Sequence, residues 1–170
     1  MKSALATLDR HLKTPTKLLI GGGAAMLLAY GFPVATMDID GLVFQSEITQ
    51  AELEPFVKAV AAELHIPGDW LNSYFNTFLY TLPKDYAKRL KEIYRGKRLT
   101  VYALGAEDLF ILKCFAGRPK DIPHAKALLR KISDLAIVEQ HLQQMIERNI
   151  PGAQAAIDRF DELRDAAGRG

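Results

Sequence analysis

The chain has 170 residues, 49% of them hydrophobic, and a formal net charge of +2. That is enough apolar material for a core and argues against disorder, while so mild a charge does not by itself point to nucleic acid. A single cysteine, Cys114, excludes a disulfide framework and paired-cysteine zinc sites, and no apolar run approaches the ~20 residues of a membrane span. The expectation is a cytoplasmic protein with no membrane segment and no signal peptide.

Residues 2–13 place Leu5, Leu8 and Leu12 at helical spacing, and Thr14-Pro15 ends that helix. Lys17–Ile20 reads as a short apolar strand running into Gly21-Gly22-Gly23. Ala24–Ala29 reads as a helix stopped by Gly31 and Pro33. Residues 36–44, "TMDIDGLVF", alternate as a strand, which puts Asp38 and Asp40 on one face and Met37 and Ile39 on the other. Glu52–Leu64 is an amphipathic helix with Leu53, Phe56, Val57, Val60 and Leu64 as its stripe. Pro67-Gly68-Asp69 makes a turn and an N-cap. Residues 70–80, "WLNSYFNTFLY", predict an aromatic helix or irregular packed segment whose Trp70, Tyr74, Phe75, Phe78 and Tyr80 belong to the core.

Residues 84–94 look helical, and Lys97–Leu104 reads as a strand. A helix opens at Gly105-Ala106-Glu107-Asp108 and runs through Phe115. Gly117–Pro123 is a charged loop, and helices follow over 124–132 and 134–148. Pro151-Gly152 separates a last amphipathic helix, with Ile157, Phe160 and Leu163 along one side, ending in a flexible "AAGRG" tail. The pattern predicts an α+β fold: a small mixed sheet flanked by helices, as residues 1–130, with a C-terminal helical extension over 131–170.

Two features carry chemistry. The glycines follow an apolar strand and open a helix, a place where backbone N–H groups can cradle phosphates. A dinucleotide fingerprint needs a third glycine where Met26 stands, and a P-loop needs a Gly-Lys-Ser/Thr that does not follow. Asp38 and Asp40 at i and i+2 can pinch a divalent ion, magnesium or manganese, that bridges to substrate phosphates. "DIDG" also matches the DxDG start of haloacid-dehalogenase-type phosphatases, with Asp38 as nucleophile. That reading requires a preceding hydrophobic strand and a late acidic pair, and "PVATM" is a poor strand.

Taken together, the Gly-Gly turn opening a helix and the strand bearing Asp-x-Asp resemble the nucleotidyltransferase superfamily of the polymerase-β type. The match is closer to a small bacterial branch related to the nucleotidyltransferase toxins of toxin–antitoxin systems. That branch carries GG-x-A followed by T-x-D-I-D, and this chain has Gly22-Gly23-Ala24-Ala25 and Thr36-Met37-Asp38-Ile39-Asp40. A lysine-bearing helix and an R-x-K-D loop come later, here Lys113, Arg118, Lys120 and Asp121, and "DWLNSYF" at 69–75 is similar too. The four pieces occur in order over about residues 5–130. The resemblance implies a nucleoside triphosphate as substrate, with Gly22, Gly23, Thr36, Arg118, Lys120 and Asp121 at the nucleotide. It implies Asp38 and Asp40 at the metal and Lys113 as a catalytic cation. The acceptor would be a protein, a tRNA or a small molecule, and an antitoxin protein would be a partner.

The chain departs from the pattern at two points. Val34 and Ala35 stand where a basic residue often precedes the aspartates. The strand "KRLTVYAL" supplies no third carboxylate, leaving Glu107 and Asp108, which are equally well explained as helix-start acids. A catalytically degenerate nucleotide-binding or protein-interaction module therefore stands beside the transferase reading. Among the weaker signals, Lys113 either snorkels or enters a cleft. The seven Lys and Arg of 84–98 read as a solvated helix face or a polyanion surface, and Cys114 reads as a buried small hydrophobe. His11, His65, His124 and His141 lack metal spacing.

Overall fold

The structure, a computed structural model, describes residues 1–168; Arg169 and Gly170, the end of the "AAGRG" tail, lie outside the described residues. The chain folds as two compact units: Met1–Thr77 with Leu90–Leu104, and Phe78–Arg89 with Gly105–Gly170.

The first unit holds helices α1 (Lys2–His11), α2 (Gly22–Tyr30) and α3 (Gln50–Leu64). Its strands are β1 (Thr16–Ile20), β2 (Ile39–Val43), β3 (Leu71–Asn72), β4 (Lys91–Arg95) and β5 (Leu99–Ala103). They form one mixed sheet in the order β3-β2-β1-β5-β4. β1 is the middle strand, antiparallel to β2 and parallel to β5. Its three consecutive apolar residues Leu18, Leu19 and Ile20 are fully buried, as a strand covered on both faces requires. α3 begins two residues earlier than its apolar stripe suggests. Thr49 caps it, its hydroxyl accepting from the Glu52 N–H while the Glu52 carboxylate accepts from the Thr49 N–H, a full capping box.

Three expectations are corrected here. Residues 84–94 are not a helix: a three-ten turn over Tyr86–Arg89 leads into β4, an edge strand paired antiparallel to β5. Its Lys-rich composition favours helix locally, but ladder bonds to β5 override the propensity, and its charges suit an unpaired edge. The acidic strand is shorter than its alternation suggests. Strand pairing starts at Ile39, so Asp38 lies in the bend before β2, and Met37 is 86% exposed rather than packed beside Ile39. The aromatic segment 70–80 divides: Trp70 and Phe75 are buried, whereas Tyr74 and Tyr80 are exposed, because three-ten geometry over Tyr74–Thr81 breaks the 3.6-residue stripe.

The second unit is helical, with α4 (Ala106–Ala116), α5 (Asp121–Leu129), α6 (Ala136–Glu147) and α7 (Ala153–Ala166). α4 is its axis: Leu109 through Cys114 are all buried, so the helix is enclosed on every side. α7 packs on this unit through Ala153, Ala156, Phe160 and Leu163, and the Phe160 ring meets Phe110 edge-on at 6.2 Å between centroids. At such a separation and angle the ring pair adds about 1 kcal/mol to the area it buries. The stripe of the last helix is thereby accounted for within the chain.

Candidate functional site

The site in the first unit begins where β1 turns into α2. Gly21 is the N-cap, in extended conformation, and as a glycine it brings no capping side chain of its own. The first N–H groups of α2 stand at the positive end of the helix dipole, a place that suits anions. The turn is fixed against the acidic strand. The Gly21 N–H donates to the Asp40 carbonyl at 2.9 Å, and Ile20 pairs with Gly41 across the β1–β2 ladder. Gly22 has φ +60, and a Cβ there would lie 2.1 Å from Oδ2 of Asp40. Only glycine tolerates both the backbone angle and the carboxylate resting on its α-carbon. A Cβ at Gly23 would lie 3.1 Å from Thr36 Cβ and 3.2 Å from Val34 Cγ1. The loop 34–36 thus lies over the turn, which gives Val34 a packing role at a position where the resemblance leads one to look for a basic residue.

Asp38 is oriented by two neutral donors. The Thr36 hydroxyl donates to Oδ1 at 3.0 Å, and the Asn72 side-chain amide donates to Oδ2 at 3.1 Å. Asn72 is itself held: its Oδ1 accepts from the Tyr74 N–H at 3.1 Å, which sets the amide so that its NH2 faces Asp38. In the ladder Asn72 stands opposite Asp40. The sequence reading missed Asn72. It lies inside the "DWLNSYF" segment, but nothing in composition or spacing distinguishes it, because its role arises from a two-residue strand pairing.

In the second unit, Lys113, Arg118 and Asp121 form one cluster. The Asp121 carboxylate, 1% exposed, accepts from Lys113 Nζ at 2.6 Å and from Arg118 Nε at 2.7 Å. Burial alone would raise the Asp121 pKa; the hydrogen bonds and charges of Arg118 and Lys113 outweigh it and hold the group below the ordinary carboxylate range. Lys113 does not snorkel: its side chain is 8% exposed and tied to that carboxylate. Lys120 is exposed, at the start of α5. Cys114 is buried, and burial pushes its thiol up to about 12.

Asp108 is engaged as well. It is fully buried, and Arg89 holds both its oxygens, Nε at 3.0 Å and Nη2 at 2.8 Å. Burial pushes the Asp108 carboxyl up despite this partner. Its role at the start of α4 is thus an ion pair within the second unit, and Glu107 beside it is half-buried.

Among the described residues, no set of three or more His, Cys, Asp and Glu side chains gathers as a metal-binding cluster. Asp38 and Asp40 stand as a two-carboxylate set, Asp38 with neutral donors on both oxygens, and no His or Cys joins them in a cluster among the described residues. That donor chemistry fits an oxygen-seeking ion of the magnesium class, which takes one or two carboxylates and completes its shell with water and phosphate.

The chain belongs to a family described as "Nucleotidyltransferase of unknown function (DUF6036)", whose model matches residues 1–155. No curated protein matched it, and neither did any solved structure.

Proposed function

We propose that this nucleotidyltransferase-family chain transfers a nucleoside monophosphate from a nucleoside triphosphate to a hydroxyl of a protein, a tRNA or a small molecule. The observation that carries the reading is the glycine turn seated directly against the aspartate strand, Gly22 on Asp40. A DxDG phosphatase makes no use of such a turn. In the reaction the acceptor oxygen forms a bond to the α-phosphorus, the bond to pyrophosphate breaks, and the hydroxyl proton is lost.

Gly22 and Gly23 donate backbone N–H groups to the phosphates at the positive end of α2. Asp38 and Asp40 would hold a magnesium or manganese ion, with Thr36 and Asn72 fixing the Asp38 carboxylate. Such an ion, when bound, neutralises the triphosphate and lowers the barrier to in-line attack. The resemblance gives Lys113, Arg118 and Lys120 as further cations for the triphosphate, and Asp121 holds the first two. An antitoxin partner is carried by the family resemblance alone, and a cytoplasmic setting by the single cysteine.

The test is equilibrium binding of a fluorescent nucleoside triphosphate, with and without magnesium. Asp38→Ala should abolish the magnesium-dependent component while circular dichroism shows an intact fold; unchanged binding refutes the site. A second reading is favoured by the lack of a three-carboxylate cluster among the described residues: a module that binds nucleotide without turnover. It predicts magnesium-dependent binding with no pyrophosphate release.

A further inference from the structure

The end of the sheet away from the glycine turn carries a second polar pocket. It has a volume of about 370 Å³, and its charged lining is Lys17, Arg95, Lys97 and Arg98 against a single acid, Glu47. β1 separates it from Gly21 by five residues, roughly 16 Å of strand. A chain whose total charge is only +2 thus gathers four cations on one mouth. Arg95 is paired with Glu92, but Lys17, Lys97 and Arg98 make no ion pair among the described residues.

The basic hairpin between β4 and β5 is held rigidly. The Asp9 carboxylate accepts from the backbone N–H groups of Lys97, Arg98 and Leu99 at 3.0, 2.7 and 2.7 Å. Gly96 rests on that carboxylate so closely that a Cβ would lie 2.4 Å from Asp9 Cγ, and the Gly96 N–H donates to the Leu99 carbonyl. Asp9 is therefore spent largely on the backbone of the hairpin; the Arg98 charge also acts on it, but neither Lys97 nor Arg98 closes an ion pair with it. On the opposite wall, Gln45 sits at φ +46, a left-handed conformation costly for a residue with a side chain. Ser46 ties that wall down, accepting from the Lys17 N–H at 2.7 Å.

We propose that this pocket docks the phosphate backbone of a single-stranded RNA. Cations held on a fixed backbone and spaced around a polar mouth complement a polyphosphate chain. Of the uncharged lining, Gln45 and Thr100 offer hydrogen-bonding groups suited to a ribose 2′-hydroxyl, while the buried Thr16 hydroxyl is spent on the Thr14 carbonyl and that of Ser46 on the backbone of Lys17 and Pro15. No aromatic side chain lines the pocket, so recognition is of the backbone and is independent of sequence. The docking does not depend on nucleotidyl transfer and is measured without nucleotide.

The experiment is fluorescence anisotropy of a labelled 20-nucleotide mixed-sequence RNA between 50 and 200 mM salt, with circular dichroism as the folding control. Three single-strand phosphate contacts contribute about 2 to the slope of log K against log salt, or about 20-fold in affinity over that range. Lys17→Ala/Lys97→Ala/Arg98→Ala should lose that dependence and bind about tenfold or more weakly at the lower salt. Asp38→Ala/Asp40→Ala should bind as the native chain does, which separates failure of the RNA site from failure of the transferase reading. Absent RNA binding, an unchanged slope in the triple variant, or equal competition by DNA of the same length or by polyglutamate would overturn the proposal.

Discussion

Replacing Gly22 by alanine tests the link between turn and acid directly. Two costs are expected. The backbone at φ +60 is left-handed, which costs a residue with a Cβ about 1–2 kcal/mol. The new methyl would also lie 2.1 Å from Asp40 Oδ2, so the carboxylate must move by more than 1 Å to reach ordinary contact. Gly31 provides the control, because it has φ +68 and a Cβ there would meet nothing within 4 Å. Gly31→Ala should therefore show the backbone cost alone. Urea denaturation followed by the single tryptophan, Trp70, reports on the same unit; it is buried, with its indole N–H donating to the Val57 carbonyl. Gly22→Ala should cost about 1–2 kcal/mol more than Gly31→Ala, and that excess should vanish in an Asp40→Ala background, a coupling in the usual range for contacting residues. An equal cost of Gly22→Ala in both backgrounds would refute the reasoning.

Asn72→Ala should lower activity about 10–100-fold with little loss of stability, since it removes the amide that orients a metal-binding carboxylate; steady-state kinetics and a melting curve check this. Asp9→Ala should cost about 2–3 kcal/mol by freeing three backbone donors. Burial alone would raise the Asp9 pKa, but the N–H groups of Arg98, Lys97 and Leu99, with the Arg98 charge, outweigh it and hold the group below the ordinary range. Its contribution is then full above about pH 4 and lost as pH falls through the depressed value, so urea titrations should show a flatter acid limb in the variant. Lys113→Met leaves a buried carboxylate with Arg118 as its remaining cation and should cost about 2–4 kcal/mol. If Lys113 also meets the triphosphate, KM for the nucleotide rises about tenfold in the folded variant; an unchanged KM would leave it a purely structural residue.

Much of the fold was legible because local and tertiary signals agree. The apolar run of β1, the glycines after it and the stripe of α3 each impose one answer. The helical reading of 84–94 failed because β4 is held by its partner strand, which a local window does not contain. The alternation through "TMDIDGLVF" was real, but pairing begins only at Ile39, so Asp38 is set by hydrogen bonds from Thr36 and Asn72 instead of by the pleat. Within the candidate site, the contact of Gly22 with Asp40 was foreseeable from the two motifs. Asn72 was not, since its partner lies 34 positions away. The aromatics of 74–80 misled for a related reason: a three-ten turn repeats every three residues, so the faces it buries differ from those of an α-helix.

The central claim is nucleotidyl transfer at the two aspartates. Its most direct test is pyrophosphate release from each of the four nucleoside triphosphates with magnesium, in cell extract that supplies the acceptor. The native chain is compared with Asp38→Ala/Asp40→Ala. Release from one or more nucleotides by the native chain alone is the expected result, and it identifies the base. No release by the folded native chain, or equal release by both, contradicts the claim.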